Sequence, residues 1–137
     1  MTFVGDTGGN LARSQSATLT EAELRIMNVL WQKGSATVHE VMEGLPAEPV
    51  LAYNSVLTIV RILEKKGYLK HVKDGRAHIF VPQVDRKKAS RLEVRHLVSR
   101  FFGDSHESLV LNILEEKGLD ADELQRLRQL LDGKSAR

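Results

Sequence analysis

Between residues 50 and 67 the apolar positions recur with a helical period, with Val56, Ile59, Val60 and Leu63 at i, i+3, i+4 and i+7. At about 100° per residue they make a single stripe, which predicts an amphipathic helix packed inward along that line. The opposite side carries Asn54, Thr58, Arg61 and Lys65. A merely solvated face is usually filled with glutamate and lysine pairs, whereas short hydrogen-bonding side chains mixed with cations are the types that read base edges and hold phosphates. Lys65 and Lys66 crowd the last turn and Gly67 follows, so the helix is predicted to end there, left-handed and basic.

Two shorter helices are predicted ahead of it. Thr20 and Glu23 make a capping box, with Leu19 and Leu24 placed as a hydrophobic staple. Leu24, Met27, Leu30 and Trp31 supply the apolar stripe, and Gly34 ends it. Thr37 and Glu40 repeat the box before Val38, Val41, Met42 and Leu45, and Pro46 stops the second helix. Two short helices, a loop with Glu48 and Pro49, and then a helix with a basic polar face is the order of a helix-turn-helix unit.

After Gly67 the period changes to two. Tyr68 to Lys73 and Arg76 to Val81 read as strands joined at Asp74-Gly75, a pair suited to a type I′ turn, with Pro82 as terminator. Lys73, Arg76 and His78 lie at or near the tip. A hairpin directly behind a reading helix is the wing of a winged helix, and a cationic tip suits phosphate or minor-groove contact. The alternative is an edge hairpin whose cations merely deter aggregation.

From Asp85 the helical period returns. One helix carries Val94, Leu97, Val98 and Phe101 and ends near Gly103; a second, opened by Asp104 and Glu107, contains Leu109, Val110, Ile113 and Leu114. The last, opened by Asp120 and Glu123, carries Leu124, Leu127, Leu130 and Leu131. Apolar stripes that follow an already complete winged helix are most economically buried against a second copy, so Leu97, Val98, Phe101, Leu109, Val110, Ile113, Leu114, Leu127, Leu130 and Leu131 are candidates for a two-fold homodimer. A larger monomer whose tail helices pack on their own domain is the competing arrangement. The expected fold is mainly α with a small β-hairpin wing: a winged helix-turn-helix domain over residues 18–84 and a three-helix dimerisation domain over residues 85–137. Residues 1–17, rich in Gly and Ser and without a period, are expected to be a flexible tail.

Charge sharpens this picture. The net charge of +2 hides a division, since residues 50–100 hold twelve Lys and Arg against four Asp and Glu, while the flanking segments are neutral or acidic. Such a central basic block is the electrostatic footprint of a nucleic-acid contact. The absence of cysteine excludes a disulfide scaffold, a thiol nucleophile and thiolate metal sites. His39, His71, His78, His96 and His106 have no metal-ligand spacing, and neither a glycine-rich phosphate loop nor a nucleophile with its base is recognisable, so no cofactor, metal or catalytic residue is expected. No long apolar run and no signal-peptide pattern is present, which predicts a cytoplasmic protein without membrane insertion.

Three blocks then become specific: Leu19-Thr-Glu-Ala-Glu-Leu-Arg-Ile-Met-Asn-Val-Leu-Trp31, Ala52-Tyr-Asn-Ser-Val-Leu-Thr-Ile-Val-Arg-Ile-Leu-Glu-Lys-Lys-Gly67 and Phe101-Phe-Gly-Asp-Ser-His-Glu-Ser-Leu-Val-Leu-Asn112. In order and spacing, over residues 18–135, the chain resembles the penicillinase-repressor family of bacterial transcription factors, the BlaI/MecI type. The resemblance implies a winged-helix domain and a helical dimerisation domain that bind palindromic operators and repress resistance or stress genes. It implies base and phosphate contacts from Tyr53, Asn54, Ser55, Leu57, Thr58 and Arg61, with Arg76 and His78 in the wing; helical period alone selects Asn54, Thr58 and Arg61. Leu57 departs from the long cation that well-known members carry there, and an apolar side chain contacts a thymine methyl rather than guanine or phosphate. In staphylococcal-type members a membrane-bound zinc metalloprotease sensor triggers cleavage within Ser-Leu-Val-Leu-Asn. The matching bond here is Asn112-Ile113, where Ile113 replaces the family's aromatic residue. Copper-responsive relatives use C-terminal cysteines, which this chain lacks. A different function class stays open beside the operator-binding repressor: a winged helix that binds protein instead of DNA, for which Leu57 and Ile62 on the third helix are the hint.

Overall fold

The structure is a computed structural model that describes residues 18–116 and 118–135; the tail expected over residues 1–17 lies outside them. The chain divides between His96 and Leu97 into two compact units. The first contains α1 (Glu21–Lys33), α2 (Val38–Gly44), α3 (Tyr53–Lys66), the strands β1 (Leu69–Asp74) and β2 (Ala77–Pro82), and the start of α4 (Arg86–Phe101). The second contains the end of α4, then α5 (His106–Glu116) and α6 (Ala121–Ser135).

Local chemistry starts the first two helices where expected. Thr20 Oγ1 accepts from Glu23 N while Glu23 Oε1 accepts from Thr20 N, and Thr37 and Glu40 exchange the same pair of bonds. Both boxes satisfy N–H groups that a helix start otherwise leaves open. The core is then made by Ile26, Met27 and Leu30 of α1, Val38 and Val41 of α2, Val56, Val60 and Leu63 of α3, and Tyr68, Leu69 and Phe80 of the hairpin segment. Ala36 pairs with Phe80 through two backbone bonds of 2.8 and 3.0 Å, tying the connection between α1 and α2 to β2.

The buried face of α1 differs from the predicted stripe. Leu24 is exposed, whereas Glu23, Ile26 and Leu30 face inward. An ion pair lies on this buried face: Lys66 Nζ is 2.8 Å from Glu23 Oε1 and also donates to the Thr18 carbonyl at 3.0 Å. Lys66, one of the two cations that make the end of the third helix basic, is therefore committed inside its own domain. Beside it the Tyr68 phenol is pushed up to about 12, first by burial and then by the Glu93 and Glu23 carboxylates. Glu23→Gln retains the capping geometry but loses the charge-assisted bond to Lys66, and is expected to cost about 1–2 kcal/mol in urea unfolding.

The hairpin turn is displaced by one residue from its predicted place. Asp74 pairs with Ala77, so Gly75 and Arg76 are the two turn residues, and of these only Gly75 has a positive φ, 65°. That is the glycine-first pattern of a type II′ turn rather than the doubly positive type I′ pattern, and it puts Arg76 at the very tip. The start of α4 belongs to the first unit. Trp31 Nε1 donates to the Val84 carbonyl at 2.8 Å, Arg86 stacks on the Trp31 ring and donates to Asn28, and Glu93 accepts from Leu19 N. These ties, with Ala89 in the core, carry the division between units into α4 rather than to residues 84 and 85.

In the second unit Asp120 and Glu123 form the expected box at the start of α6. The box expected from Asp104 and Glu107 does not form. Gly103 and Asp104 both take positive φ, 55° and 64°, to close α4, and the cap of α5 passes to Ser105, whose Oγ accepts from Ser108 N. Val98 is buried, but α5 buries none of its residues.

Candidate nucleic-acid interface

The third helix owes its two faces to sequence period. Val56, Val60 and Leu63 are buried, which turns Asn54, Ser55, Thr58, Arg61 and Lys65 outward, all exposed. Its start is unlike those of α1 and α2. Ala52 supplies no side-chain cap and the first turn holds no acid, so the N–H groups of Tyr53, Asn54 and Ser55 are presented in the manner that favours an approaching phosphate. Tyr53, 40% exposed, is steadied by His39 of α2, with ring centroids 4.9 Å apart.

Between this face and the hairpin lies an open cleft of about 600 Å³. Tyr53, Leu57 and Arg61 line it from α3, His39 from α2, and Arg76 and His78 from the wing. Reading helix and wing thus address one space, and Arg61 and Arg76 give it cations from both sides. Lys73 pairs with His78 across the strands and is exposed beside the tip, as is Lys70 further back. Leu57 is drawn half inward against the core, leaving part of its side chain in the cleft. What sequence reasoning missed is the packing around these residues: the His39–Tyr53 contact, and Glu64 of α3, whose Oε2 lies 2.6 Å from His71 Nδ1. The period of two in β1, with His71 opposite Phe80, was the available signal that His71 shares the face of the hairpin that lines the cleft. Among the described residues no group of three or more His, Asp or Glu side chains is arranged to hold a metal ion.

Of the dimerisation candidates, Phe101, Leu130 and Leu131 are the most open, at 65, 63 and 62% exposure, and Leu97, Val110, Ile113, Leu114 and Leu127 are also exposed. Leu109 is half-buried. Asn112 and Ile113 stand in the middle of α5, both exposed.

Fold and outer face define a winged-helix regulator of the nucleic-acid-reading kind. The sequence profile of the penicillinase repressors matches residues 19–133, and the chain belongs to the penicillinase repressor family. The penicillinase repressor of Bacillus licheniformis is 31% identical over 114 residues, covering 83% of this chain and 89% of that protein. The transcriptional regulator BlaI of Mycobacterium tuberculosis is 32% identical over 115 residues, 82% of each. Among solved structures, the monomeric form of Bacillus licheniformis BlaI in complex with the blaP half-operator aligns with 52% of this chain and 87% of its own, at 31% identity and a TM-score of 0.45. The family is one of transcriptional repressors, not enzymes.

Proposed function

We propose that this chain is a dimeric repressor that reads a pseudo-palindromic operator in double-stranded DNA, in the service of resistance or stress genes. The observation that carries the reading is the exposed row of Asn54, Thr58 and Arg61 on α3, opposite its buried stripe, with Arg61 sharing a cleft with Arg76 of the wing. Asn and Arg are the side chains that pair bidentately with adenine and guanine in the major groove. Tyr53, Ser55, Leu57 and Lys65 flank them, and Lys73, Arg76 and His78 meet the neighbouring backbone. Two protomers join through the exposed leucine and valine faces of α5 and α6, which sets the spacing of half-sites. A repressor of this kind works in the cytoplasm, and no helix among the described residues is long and apolar enough to cross a membrane.

Cleavage by a membrane metalloprotease sensor at Asn112-Ile113 would need α5 to unwind locally, because that bond lies inside the helix. A dimer that covers α5 opposes such unwinding. The protein-binding alternative asks for an apolar outer face on α3, yet Leu57 leans into the core and leaves Ile62 exposed amid Arg61 and Lys65.

Salt dependence tests the reading. With Lys65, Lys70, Lys73 and Arg76 free to meet phosphates and Lys66 committed to Glu23, log affinity against log salt is expected to fall with a slope of about −4 per protomer. The measurement is fluorescence anisotropy on duplexes from the adjoining promoter. Binding that is absent in dilute buffer, or indifferent to salt, overturns the assignment.

A further inference from the structure

One acid stands where a polyanion would approach. Glu64 lines the cleft between α3 and the wing together with Arg61 and Arg76, and its carboxylate meets His71 Nδ1 of β1 at 2.6 Å. The His71 ring in turn stacks on His78 of β2, with centroids 4.6 Å apart and planes 12° from parallel. This chain of three side chains bridges the reading helix to both strands of the wing. Glu64 and His71 remain about one-third exposed, at 32 and 36% of their side chains, so solvent protons and DNA phosphates both reach the pair.

We propose that Glu64, His71 and His78 form a protonation-dependent strut between reading helix and wing, so that the DNA affinity of this chain rises as pH falls through the imidazole range. The proposal rests on the DNA-binding reading above. Glu64 and His71 act here as positioning residues. With His71 neutral, its ring N–H donates to the Glu64 carboxylate, whose negative charge offsets one of the two arginine charges that the cleft presents. One proton on His71 turns the contact into an ion pair, cancels that charge and tightens the wing against α3. The other titratable or charged groups that line the cleft with this pair are His39 of α2, Tyr53 and Arg61 of α3 and Arg76 of the hairpin, with Lys73 paired across the strands to His78.

The sign follows from linkage. DNA binds better to the form that carries one more positive charge, so binding takes up a proton and affinity increases toward lower pH, by at most about tenfold per pH unit for a single proton. The test uses the full chain and a duplex selected by the wild type from random sequence. Anisotropy titrations at constant ionic strength, from about pH 8.5 to about pH 5.5, compare the wild type with Glu64→Gln and His71→Gln. The wild type is expected to gain several-fold in affinity across this range. Glu64→Gln is expected to bind more tightly than the wild type at the alkaline end and to lose most of the slope, and His71→Gln to bind weakly and with little slope. A flat wild-type profile, or a Glu64→Gln profile parallel to it, overturns the strut while leaving DNA binding intact. If no duplex is selected at any pH, the DNA reading falls instead, and the strut is judged on the free protein by NMR. There the His78 ring resonances should shift as His71 titrates, and should cease to do so in Glu64→Gln; independent titration of the two rings overturns it.

Discussion

Replacing Leu130 and Leu131 together by aspartate is expected to convert the protein into a monomer and to weaken binding of a full operator by about 10²- to 10⁴-fold, the advantage that joining two binding modules confers. The argument starts from α5. An isolated helix of 11 residues is too short to hold itself in water, and this one buries none of its side chains within the chain. Val110, Leu111, Ile113 and Leu114 on α5, and Leu127, Leu130 and Leu131 on α6, all remain exposed. Apolar surface gathered in this way marks an interaction site. Burying one such leucine contributes roughly 1.5–3 kcal/mol, and a carboxylate in its place must be desolvated instead. Sedimentation velocity at micromolar concentration reads the first effect and titration of a two-half-site duplex the second. Affinity for a single half-site should be unchanged, since the substitutions lie outside the winged-helix unit. A double variant that sediments like the wild type would remove α6 from the interface.

What the amino-acid order discloses here is what is decided within one or two helical turns. The boxes at Thr20, Thr37 and Asp120 depend on a partner three residues away and were readable. So was the division of α3 into buried Val56, Val60 and Leu63 and exposed Asn54, Thr58, Arg61 and Lys65, because a period needs no knowledge of what packs against it. Partners 40 or more residues away were not readable. Lys66 looks like one more cation of a basic helix end until Glu23, 43 positions earlier, claims it. On the same face of α1, Ile26 is buried while Leu24 is exposed. The wing shows the same limit on a smaller scale. Asp74-Gly75 and Gly75-Arg76 are both acceptable turn dipeptides, and only the pairing of the strands decides between them. In the site itself, Glu64 and His71 belong to different period classes, one helical and one extended, and no single pattern brings them together.

Asn54→Ala and Arg61→Ala should each cost about 1–3 kcal/mol per half-site, about 5- to 150-fold, if the outer face of α3 reads bases. Both side chains are exposed, and among the described residues neither makes a hydrogen bond or ion pair within the chain. Their removal should therefore leave thermal stability within about 0.5 kcal/mol of the wild type, which makes any loss of binding a loss at the interface. The loss should also depend on sequence. A base-reading side chain discriminates, so each alanine variant should relax preference at one or two operator positions while retaining the background affinity for unrelated duplex. Lys73→Ala supplies the contrast, because a phosphate contact from the wing lowers affinity for every sequence alike and reduces the salt slope by about one. Competition titrations against operator and scrambled duplex measure both. Should Asn54→Ala and Arg61→Ala bind like the wild type while Lys73→Ala is weakened, the wing is the element that grips DNA, and α3 serves only to support it.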